Sequence, residues 1–235
     1  MEDRPAVQGK GHMIQRIFIG VSLVLMMTAL FLIFVYVPTE ENMGVVQRIF
    51  YLHVPLAWLA FLSYFVIFVC SIAYLIKPQE KWDWVAYAAG EVGILFTSLV
   101  LITGPIWAKP AWGQWWTWDA RLTTTLILWV IYLAYLLIRS FANSESQGAR
   151  FAAALGIVGF LNVPLTALAV SLWRTQHPPA VIFEGGLESS MLLTLMVSLA
   201  AFTVLYVPLV AQRARLRRTE TDLLKLEEEL DLAGR

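Results

Sequence analysis

With 59% hydrophobic and 14% charged residues in a chain of 235, the composition departs from the roughly 45–50% apolar and about 25% charged make-up of soluble domains and points to a membrane protein. Seventeen Lys and Arg balance seventeen Asp and Glu, which excludes the basic excess of a nucleic-acid binder and the acidic excess of a disordered tail. One cysteine and three histidines exclude any motif built on paired thiols and leave few residues from which an imidazole site could be made.

Six stretches, residues 17–37, 49–76, 83–106, 122–138, 151–173 and 189–210, approach or exceed the roughly 20 apolar residues that cross a hydrocarbon core of about 30 Å. The first is too long for the apolar region of a signal peptide and has no small-residue cleavage site after Val37, so it is expected to remain as a helix. Thirteen Lys and Arg fall in the N-terminal tail, the second and fourth connections and the C-terminal tail; only four, Arg48, Lys109, Arg121 and Arg174, fall in the other connections. Positive residues are retained on the cytoplasmic side, so both termini are expected there and the odd-numbered connections outside. The expected fold class is all-α: a polytopic membrane protein with six transmembrane helices and both termini cytoplasmic. It would form a single integral membrane domain over residues 1–235, with an outward tryptophan-rich segment at 105–121 and a short cytoplasmic tail at 211–235.

Taken in chain order, Met43 in the first outward connection is too isolated to name as a ligand, and Cys70 in the second span reads as an inert buried side chain. Glu91 lies about eight residues into the third span, near 12 Å from its cytoplasmic end at a helical rise of about 1.5 Å per residue. A carboxyl there is costly. It is either functional or an interior glutamate, protonated or hydrogen-bonded, that holds helices together. Asn162 and Pro164 in the fifth span read as a locally opened helix or as polar glue between helices. In the tail, Leu223, Leu226 and Leu230 recur at helical spacing among acidic residues, which predicts a short amphipathic helix but not a coiled coil. No GxxxxGK[ST] phosphate loop is present, so any ATP dependence must come from other chains.

The second outward connection holds Trp107, Trp112, Trp115, Trp116 and Trp118, half of the ten tryptophans. Single indoles such as Trp82, Trp84 and Trp129 suit an aromatic belt at the headgroup level. The cluster differs, because Trp112-Gly113-Gln114-Trp115-Trp116-Thr117-Trp118-Asp119 adds a permissive glycine and a terminal carboxylate. Several rings on a short segment make a flat apolar surface for a large planar ligand. Gly113 lets the backbone turn or approach closely, and Asp119 and Arg121 offer polar anchors at the rim.

The run TGPIWAKPAWGQWWTWDARLTTTLILWVIYLAY resembles the tryptophan-rich WWD signature of haem-handling proteins in c-type cytochrome biogenesis. Within that superfamily, chain length and six spans are similar to the CcmC haem-delivery family rather than to CcmF or CcsA, and the resemblance runs from the first span through the last. It implies a non-enzymatic haem carrier in the bacterial cytoplasmic (inner) membrane, holding haem b non-covalently and transiently on the outer, periplasmic side. It further implies the haem chaperone CcmE as recipient, with the ABC transporter subunits CcmA and CcmB and the small subunit CcmD in the same complex.

His53, at the outer start of the second span, and His177, in the third outward connection, flank the tryptophan segment in topology. Each alone reads as a polar interfacial residue, but a pair of neutral imidazoles on opposite faces of a haem would complete six coordination. The resemblance implies the same two axial ligands. His12, on the cytoplasmic tail, reads as a solvated residue. The expected haem-binding set is therefore His53, His177, Trp112, Gly113, Trp115, Trp116, Trp118, Asp119 and Arg121. The rival reading is a membrane b-type cytochrome subunit that keeps its haem for electron transfer. A plain solute transporter is a third class, for which no matched pair of broken helices is visible.

Overall fold

The computed structural model describes residues 4–142, 144–173, 175, 177 and 186–233, with side chains from Met13 onward. The His12 side chain, Arg174, Gln176, Pro178 and Pro179 fall outside the described residues. The described part is α-helical: α1 (Arg4–Phe31), α2 (Phe50–Ile76), α3 (Glu80–Trp112), α4 (Ala120–Leu137), α5 (Glu145–Phe160), α6 (Asn162–Leu172) and α7 (Ser189–Ala233). With α5 and α6 taken as one interrupted span, six segments among the described residues are long and apolar enough to cross a membrane. This is an integral membrane protein of helical build.

Three element ends differ from what the sequence suggests. α3 carries Pro105 and Pro110 toward its C-terminal end and still reaches Trp112, each proline giving up the bond of its own missing N–H to the carbonyl one turn earlier. It stops at Gly113, whose backbone (φ 78°, ψ −2°) is left-handed, a conformation glycine adopts without a Cβ penalty. The Gly113 N–H donates to Lys109 O at 2.9 Å, and the Lys109 ammonium donates to Gly113 O at 2.9 Å. Trp107 and Trp112 therefore ride on a helix rather than on a loop.

The fifth span breaks at Leu161, between α5 and α6. Pro164 has no N–H for the Phe160 carbonyl one turn earlier, and Asn162 Nδ2 donates to Thr124 O of α4 at 2.9 Å. The opened helix and the polar tie coexist there. α7 runs unbroken for 45 residues, absorbing the tail that the sequence suggests as a separate short helix. No glycine interrupts it, and ion pairs such as Arg218 to Asp222 (3.6 Å) support its polar half.

Helix contacts rest on small residues, as expected where lipid gives no hydrophobic drive for helix association. α2 and α3 form the most extensive pair. A Cβ on Gly93 of α3 would lie 2.8 Å from Ser63 Cβ of α2, and one on Gly156 of α5 would lie 2.8 Å from Ile67 Cγ2 of α2. Between them Tyr64 stacks on Tyr132 of α4, with centroids 3.7 Å apart.

One end of the bundle is closed by charge. Arg139 grips Asp83 with two bonds, the longer 2.9 Å; Arg217 meets Glu145 at 3.3 Å, Lys225 pairs with Glu80, and Arg215 donates to Gln15 at 2.5 Å. Glu91 belongs to this network. Arg213 of α7 binds both of its oxygens, with Nη2 at 3.0 Å from Oε1, so Glu91 ties α3 to α7. At the opposite end the first connection turns on Glu40, which accepts the N–H of Met43 and the N–H and Nδ2 of Asn42. The Met43 bond, reinforced by Asn42, holds the Glu40 carboxyl below the usual range.

Candidate functional site

At the end away from the ion pairs, the helices enclose a cavity of about 910 Å³, its open mouth included. Three stripes at helical spacing line it: His53, Ala57 and Ala60 on α2; Thr97, Leu101, Gly104 and Ala108 on α3; Arg121, Thr125 and Leu128 on α4. Alanine and glycine at the facing positions of α2 and α3 leave the volume that larger side chains would fill. From Thr97 to Ala108 the wall is about 16 Å deep at 1.5 Å per residue.

His53 is buried in this wall. Its Nδ1 lies 2.8 Å from Thr103 Oγ1, and Thr103 Oγ1 donates its single hydrogen to Leu99 O at 2.8 Å. With the threonine hydrogen on Leu99 O, the ring donates from Nδ1 and its Nε2 lone pair is the ligand position. A Cβ on Gly104 would come within 3.4 Å of His53 Cε1, so the glycine gives the ring its room. His177 lines the same cavity from the third outward connection, and the Thr175 hydroxyl donates to its carbonyl at 3.3 Å.

Trp107 is buried beside His53, its ring 6.0 Å from those of His53, Phe50 and Trp112. Trp112, Trp115 and Trp116 also line the cavity. Trp115 is 57% exposed and stands at the mouth. Gly113 and Trp118 do not line it: Gly113 caps α3, and Trp118, 69% exposed, meets Trp116 edge-on at 5.5 Å. Trp118 also has φ 54°, a left-handed backbone that is costly for a bulky residue. The indole N–H groups of Trp107 and Trp116 are shielded from water and have no acceptor among the described residues.

The charged pair builds the rim. Asp119 caps α4, with Oδ1 accepting the Leu122 N–H at 3.0 Å and Oδ2 accepting the Thr117 hydroxyl at 3.0 Å. Arg121 Nη1 donates to Thr166 O and Ala167 O, each at 3.0 Å, and ties α4 to α6. The cavity thus brings together His53, His177, Trp112, Trp115, Trp116, Asp119 and Arg121. Sequence reasoning did not assign Trp107, Thr103 or Gly104 to the site. Trp107 could have been found from its place in the tryptophan cluster, whereas the other two carry no signal beyond a Thr-Gly pair before Pro105.

Comparison with known proteins bears on the chain as a whole. The sequence matches the family described as "CcmC: Heme exporter protein C" over residues 6–227. It is 38% identical over 175 residues to the "Heme exporter protein C" of Bradyrhizobium diazoefficiens, an alignment covering 73% of this chain and 66% of that protein, just under two thirds of its length. It is 34% identical over 189 residues to a "Putative cytochrome c biosynthesis ccmC-like mitochondrial protein" of Marchantia polymorpha, covering 80% of each. With the "Heme exporter protein C" of Escherichia coli K12 it shares 30% identity over 182 residues, covering 77% of this chain and 74% of that one. The chain belongs to the heme exporter protein C (CcmC) family.

Proposed function

We propose that this protein takes up haem b in the cavity, non-covalently and transiently, with His53 and His177 as axial ligands, and delivers it to a haem chaperone for c-type cytochrome biogenesis. The observation that carries this reading is that both histidines and the tryptophan segment line one cavity. The unpaired Trp107 and Trp116 N–H groups are donors in need of acceptors, which the carboxylates of a bound haem provide.

Haem, if bound, would supply an iron that the imidazoles of His53 and His177 would hold. The chain's own residues do the rest. Thr103 holds the tautomer of His53 that presents Nε2. Trp107, Trp112, Trp115 and Trp116 offer apolar faces and edges to the macrocycle. Gly113 turns the segment, Trp118 stands outward of it, Asp119 fixes its junction with α4, and Arg121 locks α6 against the same wall. The protein is a carrier and not an enzyme.

In this reading the chain, residues 1–235, is one haem-handling unit of the bacterial inner membrane. Both termini are cytoplasmic and the cavity is periplasmic, as the positive-charge bias favours. CcmE is the recipient, and CcmA, CcmB and CcmD are the companions. The rival, a b-type cytochrome that retains its haem, draws support from the depth of the cavity floor at Thr97 and Leu128, both buried. Exposure of Trp115 at the mouth favours transfer.

Two measurements test the proposal. His53→Ala and His177→Ala should each lose the six-coordinate absorption spectrum while still inserting in the membrane; retention of the parent spectrum by both would remove the axial roles. Haem-loaded protein mixed with the chaperone should lose haem to it, whereas the rival predicts that haem stays.

A further inference from the structure

The polar half of α7 carries a feature that haem handling does not use. Beyond Val210 charged side chains recur every few residues, a density that a lipid-facing helix does not carry, so this part of α7 projects out of the membrane. One side of it is fastened to the bundle, with Arg213 on Glu91, Arg217 on Glu145 and Lys225 on Glu80. A separate stripe faces away from the bundle. Leu216, Thr219, Leu223, Leu226 and Leu230 follow the alternating three- and four-residue steps of a heptad seam. Leu223, Leu226 and Leu230 are 55%, 54% and 72% exposed.

The residues beside the seam decide what can cover it. In the heptad frame that puts Leu223 and Leu230 at a and Leu226 at d, the e positions are Glu220 and Glu227 and the g positions are Asp222 and Glu229. All four are acidic; Glu220 already meets Arg213 and Arg217, and Asp222 meets Arg218 at 3.6 Å, whereas Glu227 and Glu229 have no ion pair among the described residues. A second copy of the chain would set carboxylate against carboxylate whether it lay parallel or antiparallel, which disfavours self-association. An anionic lipid surface is repelled by the same groups.

We propose that this stripe is a docking surface for an amphipathic helix of another protein, one with an apolar seam flanked by Lys and Arg at its e and g positions. Two heptads make a short zipper, but this half is already helical and held in place by the ion pairs to α3 and α5, so it loses little conformational freedom on binding. A membrane-held partner would gain further from high local concentration. The inference does not depend on what the cavity binds.

The test uses the full chain in detergent and two labelled helical peptides of two to three heptads, alike in leucine at a and d. One has lysine at e and g, the other glutamate. The lysine peptide should bind at least about tenfold tighter than the glutamate peptide, with the gap closing as salt rises. A chain carrying Asp222→Lys, Glu227→Lys and Glu229→Lys should reverse that preference, and one carrying Leu223→Glu and Leu226→Glu should bind neither peptide while keeping the cavity's haem spectrum. Equal binding of the two peptides, binding that survives the leucine changes, or a dimer of the chain that depends on Leu223 and Leu226 would each overturn the proposal.

Discussion

Thr103 shows how much of a ligand site resides in a residue that touches no ligand. Its hydroxyl oxygen lies 2.8 Å from both Leu99 O and His53 Nδ1, so that with its hydrogen on the carbonyl it accepts the Nδ1–H of the ring. Groups that orient a ligating histidine in this way are worth about 10–100-fold in affinity. Thr103→Val preserves the shape and removes the acceptor, so haem titration should show binding weakened by about tenfold at the least, with Thr103→Ser near the parent value. Unchanged affinity in the valine variant would mean that the ring is held by packing alone. The sequence singled out His53 and His177 because histidine is so scarce and the tryptophans because they cluster, and the structure sets both histidines, Trp112, Trp115 and Trp116 around one cavity. Thr103 was not legible in the sequence: a threonine within a span bonds back to its own helix whether or not a ring lies above it, so its second role exists only once α2 is packed on α3.

Elements were legible where composition is uniform and obscure where it changes. The six spans follow from apolar length, but the third is expected to end at residue 106, whereas α3 continues through Pro110 to Trp112. Conversely, the turn from apolar to charged after Val210 hides an α7 that runs on through Pro208 to Ala233, because a change of polarity does not end a helix. What holds the elements together is close approach at small residues. At Gly156 a Cβ would meet Ile67 Cγ2 at 2.8 Å and Ser71 Oγ at 3.0 Å. Gly156→Val should therefore destabilise the α2–α5 pair by about 1–3 kcal/mol, seen as a lower Tm in detergent. An unchanged Tm would show that the two helices can part without cost.

At the scale of the molecule, the bundle divides its chemistry between two ends. Ion pairs among α3, α4, α5 and α7 close one end, and the other opens into the cavity beneath the tryptophan segment. The thirteen-to-four distribution of Lys and Arg predicts that terminal reporters read as cytoplasmic and a reporter at Gly113 as external; a cytoplasmic reading at Gly113 would put the cavity on the wrong side for periplasmic delivery. Such division also explains why the site was only partly legible: its aromatic rim is contiguous in sequence, whereas its wall is assembled from single stripes of α2, α3 and α4 that become a cavity only when the small residues face one another. The account stands or falls on two imidazoles meeting one haem iron in that cavity. Nitrogen hyperfine spectroscopy of the oxidised, haem-loaded protein, grown with isotopically labelled histidine, measures this directly. Coupling of two histidine nitrogens to a low-spin iron, falling to one in either His53→Ala or His177→Ala, is the predicted result; an iron coupled to no labelled histidine, or to the same number in both variants as in the parent, would contradict it.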